Sequence, residues 1–226
     1  RERYGDALMS SFLGNHDVMR FTSHGVEGYV SACNWDTNEV IQASAPTDWF
    51  IYQRMKLAWT FLYTQPDVPL IYYGDEFGMP GYTDPDNRQP MWWYTGDLDP
   101  GVDVETVASR LDTEPAGVLR HVAALGQARR DHPSMWRGDA TEWWVQPTGS
   151  PTTWAWARKD PVGGGESITI INREGEGRTL SNAIAYAGLT PGATFVDVLT
   201  GEQFAASGDS LSVYVPEHSS RVLVKQ

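Results

Sequence analysis

The chain has 226 residues, with 29 acidic and 17 basic side chains that give a formal net charge of −12 at pH 7. Such a charge repels nucleic acid and anionic membranes, and no run of about 18 apolar residues is present to span a bilayer, so we expect neither as a partner. The single cysteine, Cys33, excludes an internal disulfide.

In the first part of the chain, two short apolar runs are each followed, after a long interval, by a helical pattern. Residues 7–14 and 68–73 have the composition of buried parallel strands, and each run closes on a glycine. Apolar residues at helical spacing predict helices over 48–65, where Asp48 is a suitable N-cap, and over 115–131. Strand, interval and helix in this order are typical of a parallel α/β sheet or barrel.

The intervals between these elements are predicted to be long loops. Residues 22–46 and 74–114 are polar, rich in glycine and proline, and show no clear periodicity. In parallel sheets and barrels, loops that follow the carboxyl ends of strands surround the ligand. We therefore expect these two loops to face a common site.

After Gly138 the pattern changes to short alternating or β-branched runs, such as SITIINR, TFVDVLT and SLSVYVP, separated by turns rich in glycine or proline. This spacing predicts an antiparallel β-sandwich of about six to eight strands. The fold class is therefore α/β followed by all-β, with one domain over residues 1–138 and a second over 139–226.

Polar residues follow both predicted strands of the first part. Asn15, His16 and Asp17 come directly after the first run, and Asp75 and Glu76 come after the second. Because parallel strands end at the same edge of a sheet, these side chains are expected to share a site. Asp17 could stabilise a developing positive charge or accept hydrogen bonds from substrate hydroxyls, but a strand-end aspartate can also simply cap the next loop.

Four segments resemble those of one enzyme family, in the family's order. FLGNHDVMRF, residues 12–21, resembles the seventh-strand signature of the α-amylase superfamily, glycoside hydrolase family 13. DVPLIYYGDEFGMPG, residues 67–81, resembles its eighth-strand segment, with Asp67 where the family commonly has glycine. DPDNRQPM, residues 84–91, is similar to a stretch of the neopullulanase and oligoglucosidase branches, and RRDHPSMWRG, residues 129–138, resembles the end of the last barrel helix.

The resemblance implies the last two βα units of a (β/α)8 barrel followed by the C-terminal β-sandwich, and it implies roles for the matching residues. Asp17 matches the carboxylate that stabilises the transition state, and His16 matches a residue that binds the same sugar. Asn15, in the same motif, is also expected to bind substrate. Asp84 and Arg88 match a pair that can hold a glucose further from the cleavage point; an ion pair that ties down a loop is the alternative.

Three further expectations concern supporting residues and metals. An arginine just past a carboxylate is usually a structural clamp, so Arg20 is expected to hold its loop. Glu76 matches a position that mostly holds a supporting carboxylate. The DPDN segment lacks the spaced ligands of a calcium loop, so no metal site and no cofactor is expected in this chain, and any calcium ligands of a full-length enzyme would lie elsewhere.

Aromatic residues are abundant, with ten tryptophans and ten tyrosines. Aromatic faces stack well on the apolar faces of pyranose rings. The tryptophans of the predicted sandwich strands are expected to lie mostly in its core: Trp143, Trp144, Trp154 and Trp156. For Trp35, Trp92 and Trp93, which lie in the predicted loops, sugar stacking and structural packing are both open.

Retaining glycoside hydrolysis needs a nucleophile and a proton donor, two carboxyl groups about 5 Å apart. In the family their signatures would precede Asp17, where only 16 residues stand. The resemblance therefore implies part of a retaining α-glucosidic-bond hydrolase that is inactive by itself, with an α-glucan or maltooligosaccharide as ligand. The rest of the barrel would come from a missing N-terminal part or from a partner chain.

A non-catalytic carbohydrate-binding or assembly module that keeps part of the sugar cleft is the alternative function, and a purely structural accessory domain is a third. The sequence separates neither α-1,4 from α-1,6 specificity nor hydrolysis from transglycosylation. It also leaves the compartment open. An extracellular or periplasmic location is preferred to a cytoplasmic one, because polymeric glucans are usually met outside the cell.

Overall fold

The computed structural model describes residues 9–34, 36–37, 39–145 and 152–226. The chain divides into two compact units. Of the described residues, one unit contains Ser11–Ala58 and Pro69–Ala123, and the other contains 9–10, Trp59–Val68 and Ala124–Gln226. Among the helices of the described stretches, none is both long and apolar enough to cross a bilayer. The domain boundary at residue 138 stays a prediction.

The elements up to residue 131 are short strands and helices of very different lengths. In chain order they are β1 (Ser10–Ser11), α1 (Phe21–Glu27), β2 (Cys33–Asn34), β3 (Glu39–Val40), α2 (Trp49–Tyr63), β4 (Val68–Pro69), α3 (Trp92–Thr95), α4 (Val104–Ala108) and α5 (Thr113–Asp131). Single 3₁₀ turns lie at Asp75–Phe77 and Asp86–Arg88.

The two long helices confirm the predictions over 48–65 and 115–131. In α2 the Phe50 N–H donates to Asp48 Oδ1 at 2.9 Å, which is the expected N-cap. Ile51 and Met55 on this helix are 6% and 0% exposed, as the helical spacing of the apolar residues requires.

The expectation of two long loops without regular structure is wrong. The segment 22–46 contains most of α1 and the antiparallel pair β2–β3, and 74–114 contains α3, α4 and both 3₁₀ turns. These elements have two to seven residues. A helix needs several turns before its apolar periodicity stands out from the sequence, so elements of this length leave no readable pattern.

The two predicted strands of the first part pair with each other. β1 and β4 form a two-stranded sheet, in which the Val68 N–H donates to the Met9 carbonyl and the Leu70 N–H to the Ser11 carbonyl, both at 2.9 Å. Donors and acceptors both advance by two residues in the same direction, so the strands run parallel.

Apolar side chains next to this strand pair are exposed, and the expectation of buried strands is wrong for them. Phe12, Leu70 and Ile71 expose 48%, 43% and 41% of their surface. Strands of a parallel sheet are buried when further strands lie on both edges and helices cover both faces. Within the described residues each of these strands has one neighbour, so part of the apolar surface stays open to solvent.

A histidine on α5 is held in its neutral form. His121 Nε2 donates to the Lys56 carbonyl on α2 at 3.0 Å. Burial, together with the nearby Lys56 ammonium, lowers the pKa of His121 from 6.5 to about 4. The unfolded chain therefore binds a proton at this residue in a pH range where the folded chain does not.

We expect this histidine to lower the stability of the fold as the pH decreases. Its contribution is complete above about pH 6.5 and is lost as the pH falls toward 4, because the unfolded ring takes up the proton. When the pH is lowered from 7 to about 4.5, the free energy of unfolding measured with urea should fall by about 2 kcal/mol more in the wild type than in His121→Gln. His24→Gln, at an exposed histidine, is the control and should behave as wild type. The same pH dependence in wild type and His121→Gln would contradict the assignment.

The rest of the described chain is rich in β-structure. Its strands are β5 (Ala140–Val145), β6 (Thr153–Lys159), β7 (Glu166–Asn172), β8 (Arg178–Ala183), β9 (Thr194–Asp197), β10 (Gln203–Ala205), β11 (Ser210–Val215) and β12 (Ser219–Lys225). Among the described residues they form a six-stranded sheet in the order β10-β9-β12-β7-β6-β5 and a separate pair β11-β8. Every pairing is antiparallel, which confirms the expected strand pattern.

The two sheets share one apolar core. Along β11, exposed and buried residues alternate strictly, so Leu211 and Val213 point to the same side. They belong to the same buried cluster as Ile168 and Ile170 of β7 and Trp143 of β5. This is the packing of a sandwich, in which the inner faces of two sheets interdigitate.

The expectation of a core position is wrong for one of the four sandwich tryptophans, Trp154, whereas Trp156 is buried on the face away from the core shared by the two sheets. Trp154 and Trp156 alternate along β6 with Ala155, which lies in the core, so their rings point to the opposite face. Trp156 is 2% exposed and packs edge-on against Phe61 with ring centroids 6.0 Å apart, whereas Trp154 is 38% exposed. A tryptophan on a strand is buried only if its register faces a packed layer, and the sequence alone did not fix that register.

Candidate functional site

A tight turn that carries three of the predicted site residues follows β1. The Asp17 N–H donates to Asn15 Oδ1 at 2.7 Å, a side-chain bond to a backbone amide two residues on. The side chains of His16 and Asp17 are 65% and 69% exposed, and His16 Nε2 lies 3.4 Å from Asp17 Oδ1. The turn thus presents an imidazole and a carboxylate to solvent, where both can exchange hydrogen bonds with a polar ligand.

The 3₁₀ turn Asp86–Arg88 brings the other two predicted site residues to the same place. Arg88 Nε lies 3.2 Å from Asp84 Oδ1 and donates to the His16 carbonyl at 3.2 Å. Arg88 Nη2 lies 4.0 Å from Asp17 Oδ1. Two segments that are distant in the sequence therefore meet, and we call the five residues the rim cluster: Asn15, His16, Asp17, Asp84 and Arg88.

Both interpretations of the Asp84–Arg88 pair remain compatible with this geometry. The ion pair is present, yet 51% of the Asp84 side chain and 46% of the Arg88 side chain are exposed. Ion pairs this exposed contribute at most about 1 kcal/mol. A ligand hydroxyl can therefore replace part of the pair's bonding at little cost, so tying down the loop and holding a ligand do not exclude each other.

Arg20 is a buried clamp, as expected. It is 0% exposed, and its Nε donates to the Asn87 carbonyl while its Nη1 donates to the Tyr73 carbonyl and to Asp75 Oδ1. The two bonds to Asn87 and Asp75 are 2.9 Å long. Arg20 thereby ties the segment that follows Asp17 to the segments after β4.

The two carboxyl groups after β4 are withdrawn from solvent. Burial raises the pKa of Asp75, and the Arg20 guanidinium opposes that rise. Burial also raises the pKa of Glu76, against the effect of backbone hydrogen bonds and with a smaller contribution from the Asp75 charge. A Cβ at Gly14 would lie 2.6 Å from Asp75 Oδ2, so the glycine that closes the first run makes room for this carboxylate. Both groups fit the supporting role expected for Glu76.

Sequence reasoning missed Asp86 and Asn87, two of the three residues between Asp84 and Arg88. Asp86 is 2% exposed, and its Oδ2 accepts from the N–H groups of Ala43 and Tyr82, both at 2.8 Å. Aspartate side chains that accept from nearby backbone amides are typical of turns, and that was the available signal. The partner from Ala43 comes from a distant segment, which no local pattern reveals.

Asn87, the second missed residue, binds the backbone of the rim cluster with its side chain. It is 0% exposed, and its Nδ2 donates to the carbonyl oxygens of His16 and Val18, each at 2.9 Å. These carbonyls belong to the residues on either side of Asp17. The only sequence signal was its place inside the segment DPDNRQPM.

Two exposed tryptophans follow the segment DPDNRQPM. Trp92 and Trp93 begin α3 and are 60% and 58% exposed, so their faces are open to a ligand. Sugar stacking by these rings stays a prediction. Trp35 lies outside the described residues.

In the described part of the chain, no group of three or more histidine, cysteine, aspartate or glutamate side chains is arranged to hold a metal ion. At the rim cluster itself, both carboxylates lie close to a cationic or protonatable side chain. This balance of charge suits a neutral ligand rich in hydroxyl groups better than an ion.

Comparison with known proteins adds named relatives, although no protein-family model matches the chain. Neopullulanase 2 of Thermoactinomyces vulgaris is 26% identical over 201 residues, which cover 89% of this chain and 28% of the relative. A cyclomaltodextrinase of Thermoanaerobacter pseudethanolicus is 58% identical over 86 residues, which cover 38% of this chain and 11% of the relative. The chain thus spans less than a third of the length of these relatives.

A solved structure shows the same fold. The α-amylase of Geobacillus thermoleovorans, complexed with acarbose, superposes with a TM-score of 0.66 at 23% identity, covering 97% of this chain and 39% of that chain. The arrangement of a mixed helix-and-strand part followed by a sheet-rich part is therefore that of a known enzyme fold.

Proposed function

We propose that the chain belongs to the α-amylase superfamily, glycoside hydrolase family 13, and that it is part of a retaining hydrolase of α-glucosidic bonds that acts on starch-like or maltooligosaccharide substrates. Its named relatives are glycoside hydrolases of this family. The observation that carries the proposal is the rim cluster, in which an exposed Asp17 carboxylate lies within 4.0 Å of His16 and Arg88, in the turn that follows the parallel strand β1.

The chemistry of glycoside cleavage gives Asp17 its role. The transition state resembles an oxocarbenium ion, so positive charge develops on the sugar at the cleavage point. A carboxylate that is already in place stabilises this charge without reorganising solvent. His16 donates a hydrogen bond to a hydroxyl of the same sugar, and Asp84 with Arg88 binds the hydroxyls of a glucose further along the chain.

We place the nucleophile and the proton donor on polypeptide outside this chain. The mechanism needs two carboxyl groups about 5 Å apart, beside the stabilising carboxylate. At the rim, Asp84 is engaged by Arg88, and Asp75 is buried against Arg20. Neither is a free second carboxylate, which supports a site completed by other residues.

The same proposal accounts for the open strand pair. β1 and β4 would be the last two strands of a (β/α)8 barrel, with α2 and α5 as the helices that follow them, over a domain of residues 1–138. The exposed side chains of Phe12, Leu70 and Ile71 support this, because the remaining barrel strands would cover them. Those strands would come from an N-terminal part of the protein or from a partner chain.

Titration with maltoheptaose tests the proposed site in the 226-residue chain. Calorimetry should give a Kd on the order of 1 mM, since the chain offers part of a cleft. Asp17→Ala should weaken binding at least about tenfold, because a hydrogen bond to a charged group is lost. Glu142→Ala removes an exposed carboxylate on β5 and is the control. Equal affinity in the wild type and in Asp17→Ala, or no binding at all, would contradict the proposal.

A further inference from the structure

The backbone around Asp17 is fixed by side chains and not by regular secondary structure. The Asp17 N–H is bound by Asn15 Oδ1, and the His16 carbonyl accepts from both Asn87 Nδ2 and Arg88 Nε. The peptide group between His16 and Asp17 is therefore bonded at both of its polar atoms. The Val18 carbonyl accepts from Asn87 as well, at 2.9 Å.

The Asn87 side chain binds the backbone on both sides of Asp17. One amide nitrogen carries two hydrogens, and here it donates them to two carbonyl oxygens that cannot themselves donate. This fixes the orientation of the amide, because the opposite orientation would place Oδ1 against two acceptors. Oδ1 has no hydrogen-bond partner among the described residues, so the residue contributes here as a double donor.

Asn87 is itself immobilised. Its carbonyl accepts from Arg20 Nε at 2.9 Å, and its side chain is fully buried. The carboxylate of the preceding residue, Asp86, is bound by two backbone amides. A Cβ at Gly81 would lie 2.8 Å from the Asn87 Cα, so the neighbouring backbone passes directly against it. A group held this firmly can hold another loop in place.

We propose that Asn87 is the positioning residue for Asp17, setting the geometry of the stabilising carboxylate through the two carbonyl groups that flank it. This rests on the function proposed for Asp17. Displacement of a reacting or stabilising group by about 1 Å can cost a hundredfold in rate, so an amide that fixes the carboxylate's backbone matters for turnover even though it touches no substrate.

The chain contains a matched control for the chemistry of this amide. Asn172 on β7 is also 0% exposed, and its Nδ2 also donates to two carbonyl oxygens, those of Glu176 and Pro216, each at 2.9 Å. Changing either asparagine to aspartate replaces the double donor by an acceptor facing two carbonyl groups. Asn172 Oδ1 also accepts from Thr153 and Glu174, and an aspartate keeps both of these bonds, so each change acts on the donor nitrogen. Only Asn87 binds the carbonyl groups that flank Asp17.

The first measurement is made on the 226-residue chain by NMR. Couplings across hydrogen bonds should link the Asn87 side-chain nitrogen to the carbonyl carbons of both His16 and Val18. If one or both couplings are missing, Asn87 does not make both hydrogen bonds to the Asp17 segment in solution, and the inference fails. This NMR measurement requires neither a substituted protein nor an active enzyme.

The second measurement is maltoheptaose hydrolysis by the intact protein that contains this chain. Asn87→Asp should lower kcat about a hundredfold with KM nearly unchanged, because ground-state contacts remain, while Asn172→Asp keeps the wild-type kcat. If Asn87→Asp does not fold, Asn87→Ala gives the same comparison. A kcat loss that is equal in the two variants, or absent from both, overturns the inference. An inactive wild type that shows both couplings overturns the proposed function but still supports the two hydrogen bonds by which Asn87 holds the Asp17 segment.

Discussion

Arg20→Met is expected to lower the free energy of unfolding by about 3–5 kcal/mol. Both partners of the Arg20–Asp75 pair are inaccessible, with side chains 0% and 2% exposed. Removal of the guanidinium leaves the Asp75 carboxyl buried without its cation, and it also removes the stacking over Tyr72, whose ring centroid lies 4.1 Å away. Urea unfolding followed by circular dichroism measures the loss.

An exposed pair provides the control for this prediction. Arg120 donates to both carboxylate oxygens of Glu105, but these side chains are 49% and 67% exposed, so Arg120→Met should leave stability nearly unchanged. Adding Asp75→Asn to Arg20→Met should recover part of the loss, because the uncompensated acid is then gone. Equal stability of Arg20→Met and Arg120→Met would show that the buried pair is not the clamp described above.

Trp143→Ala is expected to cost about 3–5 kcal/mol, the range for removing a large aromatic side chain from a packed core. Trp143 is 1% exposed in the core shared by the two sheets, and its Nε1 donates to the Ala183 carbonyl at 3.1 Å. The substitution leaves a cavity and an unpaired carbonyl group. Because the substitution changes the tryptophan fluorescence of the chain, unfolding should be followed by circular dichroism.

Trp154→Ala tests whether burial and not residue type decides the cost. Trp154 is 38% exposed and lies on the other face of β6, so its removal should cost less than half as much. A larger loss for Trp154→Ala than for Trp143→Ala would mean that the sheet faces are assigned the wrong way round.

The local part of the site could be predicted from the sequence. His16 and Asp17 stand directly after an apolar run, and strand ends are where α/β folds place their ligands. Arg88 follows Asp84 by four residues in one turn, so their pairing is also a short-range feature. Helices α2 and α5 are long enough for their apolar faces and their ends to be legible in the chain.

The rest of the site could not be predicted from the sequence, because it depends on contacts between segments that are distant along the chain. Asn87 reaches the carbonyls of His16 and Val18 through a buried amide, and nothing in the pattern around residue 87 shows which backbone it will meet. The same holds for Asp86 and its bond from Ala43. Trp154 illustrates a second limit: alternation along a strand gives two faces, but which face is packed is decided by neighbouring elements.

If Asp17 is the stabilising carboxylate of a site whose nucleophile and proton donor lie on other polypeptide, the purified 226-residue chain should release no shorter sugars from maltoheptaose. The measurement is the release of these sugars over time, with the intact protein that contains the chain as the positive control, which should release them. Release by the 226-residue chain alone that disappears in Asp17→Ala would overturn this assignment, because the complete catalytic machinery would then reside in these residues.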